Sequence, residues 1–122
     1  MKTADILIVE DEGLIALAIK ISLEKKGHTI VGIVSTAEDA LKEASNKRPT
    51  LILMDIRING EHDGILAAVK IREILDIPVI YMTGFSDAAT MQRALETNPH
   101  AFLVKPVNID QLQEIILGIP ET

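Results

Sequence analysis

The sequence contains no cysteine and no tryptophan, and it has only three aromatic residues. Without cysteine there can be no disulfide bond, thiol catalysis or cysteine-ligated metal, which fits a cytoplasmic protein. No apolar run approaches the roughly 20 residues of a membrane-spanning helix, and no signal-peptide pattern is present, so we expect no membrane association. The aromatic residues Tyr81, Phe85 and Phe102 are too few to form a base-stacking platform.

The charge balance is acidic, with 12 Lys and Arg residues against 18 Asp and Glu residues and a formal net charge of -6. Such a chain has no electrostatic reason to bind nucleic acid or an anionic membrane, and we expect neither as a partner of this domain. A length of 122 residues is typical of one domain, so residues 1–122 are predicted to form a single unit.

Short apolar runs alternate with segments whose apolar residues recur at helical spacing. The predicted strands are 4–10, 29–35, 50–55, 78–83 and 101–104, and the predicted helices are 14–26, 36–47, 64–75, 86–97 and 108–118. Because continuously apolar strands indicate a parallel sheet covered on both faces, the pattern predicts an α/β protein. The best fit is a three-layer, doubly wound (βα)5 fold of flavodoxin type, with five parallel strands in the order 2-1-3-4-5.

Several residues mark predicted helix ends. The sequence Ser35-Thr36-Ala37-Glu38 fits a capping box at the second helix, and Asn108 with Gln111 fits a weaker one at the last helix. Gly27 stands where a C-terminal glycine would end the first helix. These signals support the predicted alternation of strands and helices.

Polar residues stand at the carboxyl ends of four of the predicted strands. They are Glu10-Asp11-Glu12 at the end of the first strand, Asp55 at the end of the third, Thr83 at the end of the fourth and Lys105 after the fifth. In an open α/β sheet, sites form beyond the carboxyl ends of the strands, so these side chains are expected to converge. Taken alone, each residue also has a purely structural explanation. Acids often start solvated helices, threonine commonly ends strands, and most lysines lie on the surface.

The carboxylates of Glu10, Asp11 and Asp55 would repel one another if they met alone. Like charges about 4 Å apart cost on the order of 4 kcal/mol at an effective dielectric constant near 20. A hard divalent cation removes this repulsion, and Mg²⁺ prefers oxygen ligands that include one or two carboxylates together with a phosphate. No histidine or cysteine stands with these carboxylates at the strand ends to indicate zinc. The cluster therefore predicts a Mg²⁺ site.

In order and spacing, these residues resemble the receiver domain of two-component response regulators, a CheY-like superfamily. The resemblance covers essentially the whole chain. Its markers are Glu10-Asp11 after "ILIV", Asp55 after "LILM", Asp63-Gly64, Thr83-Gly84 after "VIYM", Phe102 and Lys105-Pro106. Each marker is weak alone, whereas the full set in order within 122 residues is a strong signal. The function that the resemblance implies is phosphorelay signal transduction.

The resemblance implies a role for each acidic residue at the strand ends. Asp55 would be the phosphoacceptor, forming an aspartyl phosphate by attack on a phosphohistidine of a sensor histidine kinase. Asp11 would bind Mg²⁺ directly and Glu10 directly or through water. Asp55 would be a further carboxylate ligand, and the backbone carbonyl of Arg57 would complete the protein ligands. This chemistry needs positioning and charge neutralisation more than acid–base catalysis.

The same resemblance assigns the residues of a switch. Thr83 would donate a hydrogen bond from its hydroxyl to a phosphoryl oxygen, and Lys105 would pair with the same group. Phe102 would be the aromatic switch residue, turning inward as Thr83 moves, and the Lys105–Pro106 peptide bond would be cis. New contacts to the phosphoryl group would drive a two-state rearrangement that a partner reads.

The chain departs from the family pattern in two loops. Gly84 stands where relatives often carry alanine, and the loop after Asp55 lacks the usual proline and is one residue longer, around residues 59–63. Arg57 and Phe85 occupy the positions at which family members tune phosphate lifetime. We expect both side chains to hinder an attacking water and to prolong the life of the phosphoryl group.

The first predicted helix has apolar residues on more than one face. Leu14, Ala18 and Ile21 share one face with Leu17, and only one face can pack fully on the sheet. Loops that cover the remainder would be one explanation. The resemblance favours another, in which this face docks the phosphohistidine domain of the kinase, and we predict that Leu14 and Ile21 point outward.

The resemblance also implies the partners. One is a histidine kinase or phosphotransfer protein, another is a downstream protein or a fused output domain, and a third is a second copy in a dimer that forms on phosphorylation. No enzyme activity is implied beyond Mg²⁺-dependent self-phosphorylation and autodephosphorylation. The chain could also be the receiver fragment of a hybrid histidine kinase.

Two alternatives use different chemistry. An aspartyl-nucleophile phosphohydrolase would want a second Asp two residues after the nucleophile, where Arg57 stands. A flavodoxin-like cofactor binder would want a Ser/Thr/Gly-rich phosphate loop after the first strand, where Glu10-Asp11-Glu12 would repel the phosphate of FMN. Both alternatives are therefore disfavoured by the residues at the strand ends.

Overall fold

The computed structural model describes residues 1–58, 63–84 and 87–121, and in these ranges strands and helices alternate. The strands are β1 (Asp5–Val9), β2 (Thr29–Val34), β3 (Leu51–Asp55), β4 (Val79–Thr83) and β5 (Ala101–Val104). The helices are α1 (Gly13–Lys25), α2 (Ala37–Lys47), α3 (Asp63–Ile74), α4 (Ala88–Leu95) and α5 (Ile109–Leu117). Neighbouring strands pair in parallel in the order 2-1-3-4-5, which confirms the predicted fold.

The sheet is covered on both faces, which explains why its central strands are continuously apolar. On β1, Leu7 and Val9 belong to a core that includes residues of α2, α3 and α4, whereas Ile6 and Ile8 belong to a core that includes residues of α1 and α5. Strands β3 and β4 are buried over their whole lengths. The side chains that follow or end these strands therefore project from a rigid support.

The helix caps follow the predicted signals with one correction. Asn108 caps α5, and its side chain accepts a hydrogen bond from the backbone N–H of Gln111, as predicted. The capping box that was predicted to begin at Ser35 is wrong by one residue, because Thr36 is the N-cap of α2 and accepts from the backbone N–H of Asp39. Both residue types can cap a helix, and the extended backbone continues one residue further than expected.

The helix lengths differ modestly from the prediction. Helix α1 ends at Lys25, and Gly27 follows with a φ of 96°, the left-handed conformation that glycine adopts after helices. Helix α4 ends earlier than the predicted residue 97, and its start is capped by Asp87, which accepts from the backbone N–H of Thr90. In the ranges that the structure describes, no helix is both long and apolar enough to cross a membrane.

Candidate functional site

The carboxyl edge of the sheet brings the predicted polar side chains together. Glu10 follows β1, Asp55 ends β3, and Lys105 follows β5. The Lys105 ammonium donates a hydrogen bond to Asp55 Oδ2 at 2.9 Å and forms an ion pair with Glu10 Oε1. These contacts join three strand ends across the sheet, as expected for a doubly wound fold.

Lys105 is held at this edge by its backbone as well as by its side chain. Its backbone N–H donates to the carbonyl oxygen of Thr83 at 2.7 Å, which continues the pairing of β4 with β5 past the end of β5. Partial burial disfavours the charged ammonium and would lower its pKa. The hydrogen bonds to Glu10 and Asp55 have the larger combined effect, so the pKa of Lys105 is raised. The lysine is therefore a fixed positive charge between two carboxylates.

Asp55 has both of its carboxylate oxygens engaged. Oδ2 accepts from Lys105, and Oδ1 accepts from the backbone N–H of Arg57 at 3.0 Å. Ile56 and Ile58 are fully buried on either side of Arg57, so the alternation exposes the arginine side chain to solvent. The backbone after β3 is thus fixed by core packing, and the Asp55 side chain is oriented by two donors.

Glu10 is an unusual carboxylate because its side chain is fully buried beside another acid. Burial, together with a hydrogen bond to Asp55 and the charge of that residue, raises the pKa of Glu10 from 4.5 to about 7, against the opposing effect of Lys105. The Glu10 carboxyl therefore binds a proton more readily than an ordinary glutamate when only Lys105 balances its charge.

The raised pKa of Glu10 predicts a pH dependence of stability in metal-free protein. Between pH 4.5 and 7 the folded state binds the proton that the unfolded state releases, so the free energy of unfolding falls as the pH rises through this window. Between pH 4.5 and 8, we expect the free energy of unfolding of wild type to fall by roughly 3 kcal/mol more than that of Glu10→Gln. Denaturant titrations in chelator measure this difference, and a difference that stays constant with pH would contradict the raised pKa.

Gly64 belongs to the sequence marker Asp63-Gly64, and the structure shows what it does. A Cβ atom at Gly64 would lie 2.0 Å from the carbonyl oxygen of Asp55 and 2.9 Å from the Cα of Ile56. The Gly64 backbone N–H donates to the Ile56 carbonyl at 3.1 Å. The start of α3 therefore rests directly on the backbone that carries Asp55, an approach that only glycine permits.

The residues assigned to the switch lie on adjacent strands. Thr83 is buried at the end of β4, and Phe102 is half-buried on β5, where it pairs in register with Tyr81. The rings of Phe102 and Tyr81 meet edge to face, with their centroids 6.4 Å apart. The Lys105–Pro106 peptide bond is cis. Thr83 therefore lies opposite Val104 at the carboxyl end of the sheet, and Phe102 lies two residues before Val104 on β5.

Glu10, Asp11 and Asp55 lie close enough to share one cation. One carboxylate oxygen from each falls within 4.8 Å of the others. Glu10 and Asp55 are buried whereas Asp11 is exposed, so the cluster can be reached from solvent. Carboxylate oxygens are the ligands that Mg²⁺ prefers, and the single charge of Lys105 does not balance three carboxylates. The donor set therefore fits Mg²⁺.

The outer face of α1 is apolar and exposed. Leu14, Leu17 and Ile21 are 85%, 46% and 45% exposed, and Ala18 beside them is exposed as well. The opposite side of the helix is buried through Ala16, Ile19 and Leu23. The outward orientation predicted for Leu14 and Ile21 is confirmed. Two other expectations, for Phe85 and for the loop at residues 59–62, lie outside the described residues.

Comparison with known proteins agrees with this geometry. The family model described as the response regulator receiver domain matches residues 6–117. The transcriptional regulatory protein PdtaR of Mycobacterium tuberculosis is 35% identical over 107 residues, which cover 88% of this chain and 52% of PdtaR. The phyllosphere-induced regulator PhyR of Methylorubrum extorquens is 38% identical over 84 residues, which cover 68% of this chain and 32% of PhyR. The chain thus spans about half the length of PdtaR and less of PhyR.

Solved structures lead to the same family. The signal receiver domain of a modulated diguanylate cyclase from Desulfovibrio desulfuricans G20 matches with a TM-score of 0.88 and 36% identity, over 94% of this chain and 91% of that one. The response regulator PhyR from Brucella abortus matches with a TM-score of 0.79 and 33% identity, over 93% of this chain and 46% of that one. On the family match, the relatives and the shared fold, the chain belongs to the receiver domain family of two-component response regulators.

Proposed function

We propose that Asp55 accepts a phosphoryl group and that its phosphorylation switches the domain between two states. The observation that carries this proposal is the Asp55 carboxylate itself, buried at the end of β3 and oriented by donors on both oxygens. An oriented carboxylate is a competent nucleophile for phosphoryl transfer. An Asp55 oxygen would form a bond to phosphorus as the bond from phosphorus to the histidine nitrogen breaks, and the electron pair would leave with that nitrogen.

Each neighbouring side chain has a part in this transfer. Lys105, which pairs with Asp55 and Glu10 in the structure, would turn its ammonium to a phosphoryl oxygen. The hydroxyl of Thr83 would donate to another phosphoryl oxygen. Stabilising the equatorial oxygens in this way is the main task of a protein in phosphoryl transfer, because the transition state needs charge neutralisation rather than acid–base catalysis.

A divalent cation completes the charge balance of the proposed site. Glu10, Asp11, Asp55 and the backbone carbonyl of Arg57 would hold Mg²⁺, with Glu10 bound directly or through water. Bound Mg²⁺ would offset the carboxylate charges that otherwise repel an anionic phosphoryl donor. Self-phosphorylation and autodephosphorylation would be the only reactions of the domain.

The proposed readout is a change at the α4 side of the sheet. Phe102 would turn inward as Thr83 moves toward the phosphoryl group, and a partner would bind one state more tightly than the other. That partner would be a downstream protein, a fused output domain or a second phosphorylated copy in a dimer. The relatives PdtaR and PhyR extend well beyond the matched region, which supports a fused output domain. We propose a cytoplasmic setting for this relay.

The direct test of the proposed function uses acetyl phosphate as the phosphoryl donor. Intact mass spectrometry of wild type incubated with acetyl phosphate and Mg²⁺ should show one phosphoryl adduct, and chelator should prevent it. A protein that stays unmodified, or that gains the adduct equally in chelator, would contradict the proposal. Repeated turnover of a phosphomonoester would instead favour an aspartyl-nucleophile phosphohydrolase.

We also propose that Leu14, Ala18 and Ile21 dock the phosphohistidine domain of the kinase. They form an exposed apolar face on α1, which begins three residues after Glu10. A face of this kind beside the carboxylate cluster could hold a partner helix while its histidine reaches Asp55.

The docking proposal predicts a selective defect in Ile21→Asp. We expect phosphotransfer from a cognate histidine kinase to slow by at least about tenfold, the effect of losing roughly 1.4 kcal/mol of binding, while labelling by acetyl phosphate stays unchanged. Leu66→Asp is the matched control, because Leu66 is an apolar residue of α3 with 52% exposure. Equal transfer rates in the two variants would rule out docking through α1.

We propose that Arg57 and Phe85 prolong the life of the phosphoryl group. The Arg57 side chain is exposed two residues after Asp55, where it could shield the phosphorus from an attacking water. Arg57→Ala should therefore shorten the half-life of the phosphorylated protein by several-fold, measured as loss of the adduct after the donor is removed. An unchanged half-life in Arg57→Ala and in Phe85→Ala would dismiss the idea.

A further inference from the structure

A buried tyrosine lies next to the proposed switch. Tyr81 is fully buried on β4, two residues before Thr83, and its ring meets the ring of Phe102 edge to face. Its hydroxyl lies 2.7 Å from the hydroxyl oxygen of Thr97, which follows α4. Tyr81 therefore contacts the aromatic switch residue with its ring and the C-terminal end of α4 with its hydroxyl.

The direction of this hydrogen bond is set by the partners of Thr97. The Thr97 hydroxyl donates its only proton to the carbonyl oxygen of Ala94, in the last turn of α4, at 2.6 Å. Its oxygen can then only accept from Tyr81, so the tyrosine hydroxyl is the donor. Burial raises the pKa of Tyr81, which keeps this donor protonated. The two hydroxyls form a directed chain from β4 to α4.

The far end of the chain is tied to a third element. The guanidinium of Arg72, on α3, donates from Nη1 to the carbonyl oxygens of Thr97 and Asn98 at 2.6 and 2.8 Å. Asn98 has a positive φ of 54°, so the chain turns here through the left-handed conformation, which residues other than glycine adopt infrequently. The segment after α4 is thus held by α3 on one side and by Tyr81 on the other.

We propose that Tyr81 is a positioning residue of the switch, and that its hydrogen bond to Thr97 holds the C-terminal end of α4 in the unphosphorylated arrangement. The inference rests on the proposed roles of Asp55 and Phe102. In the structure Lys105 donates to the carboxylate of Asp55, and the Tyr81–Thr97 bond is present in the same arrangement. An inward turn of Phe102 would take away the ring that packs edge to face on Tyr81, and the Tyr81 ring could then reorient and carry its hydroxyl away from Thr97.

The consequence for the switch is a shift in population. A bond that is present in one state and loosened in the other stabilises the first state, and its removal favours the second. Loss of the Tyr81 hydroxyl should therefore make the phosphorylated arrangement easier to reach. The effect cannot exceed the net free energy that one neutral hydrogen bond contributes, which corresponds to about fivefold in an equilibrium constant.

The test measures the affinity of the protein for beryllium trifluoride, a mimic of the phosphoryl group, in the presence of Mg²⁺. Titrations followed by ¹⁹F NMR should show about fivefold tighter binding for Tyr81→Phe, which keeps the ring, and for Thr97→Val, which keeps the shape. Thr97→Ser retains the hydroxyl and should restore the affinity of wild type. The double variant Tyr81→Phe/Thr97→Val should bind no more tightly than Thr97→Val alone, because Thr97→Val already removes the bond to Tyr81 together with the bond to Ala94.

Three outcomes would overturn the inference. Wild-type affinity in both Tyr81→Phe and Thr97→Val would do so, even if thermal unfolding showed that both variants are less stable, because the bond would then be structural only. Weaker binding in both would show that the bond favours the phosphorylated state. A wild-type protein that does not bind beryllium trifluoride at all would overturn the proposed function, and this inference with it.

Discussion

Gly64→Ala is expected to destabilise the domain by about 3 kcal/mol or more. The added methyl group would lie 2.0 Å from the carbonyl oxygen of Asp55, and backbone atoms offer no flexible end that could move aside. Helix α3 would have to shift away from β3, which would break the hydrogen bond from Gly64 to Ile56. The midpoint and slope of denaturant unfolding measure the loss.

Two other glycines supply matched controls for this substitution. A Cβ atom at Gly13, the first residue of α1, would meet no atom within 4 Å, so Gly13→Ala should be neutral or stabilising by up to about 1 kcal/mol. Gly84→Ala is the control near the site, since its Cβ would meet only Lys105 Cδ at 3.8 Å, an ordinary contact. If Gly64→Ala were as stable as these two variants, the close approach of α3 to Asp55 would be incorrect.

Asp11→Asn is expected to weaken Mg²⁺ binding by at least about tenfold and to slow phosphorylation by acetyl phosphate to a similar degree at subsaturating Mg²⁺. Asp11 is the exposed member of the carboxylate cluster, and an amide oxygen carries no net charge to attract the cation. Isothermal titration calorimetry measures the affinity, and the rate of adduct formation in intact mass spectra measures the reaction.

Glu12→Gln is the control for the change in charge. Glu12 is the neighbour of Asp11, and its substitution removes the same single negative charge. Glu12 is not a member of the carboxylate cluster. Its substitution should leave the Mg²⁺ affinity within about twofold, because an exposed charge that does not ligate the cation contributes little in water. Equal losses in Asp11→Asn and Glu12→Gln would indicate a general effect of net charge rather than a ligand.

Much of the fold and of the site could be predicted because the relevant signals are local or arise from topology. The alternation of apolar runs and amphipathic segments predicts the doubly wound sheet, and the sheet order alone brings Glu10, Asp55 and Lys105 to one edge. Each of these residues stands at or directly after the carboxyl end of a predicted strand, where a polar side chain is easy to recognise. Their convergence needs no knowledge of side-chain packing.

The remaining features depend on contacts between residues far apart in the sequence. Gly64 is constrained by the backbone of Asp55, and Tyr81 finds its partner in Thr97 only after β4 and α4 have packed. His28 is a further example of a long-range contact. It is buried, and its Nδ1 accepts a hydrogen bond from the backbone N–H of Ala4 at 3.0 Å. The pattern of residue types along the sequence predicts none of these contacts, because it does not specify which distant residues come close together.

The position of the phosphoryl group tests the central claim most directly. Borohydride converts an aspartyl phosphate to homoserine, so reduction of the acetyl phosphate product followed by peptide mass spectrometry locates the modified residue. We expect homoserine at position 55 in wild type and no adduct in Asp55→Asn. An adduct on Glu10, Asp11 or another carboxylate of the wild-type protein, or an undiminished adduct in Asp55→Asn, would contradict the assignment of Asp55 as the phosphoacceptor.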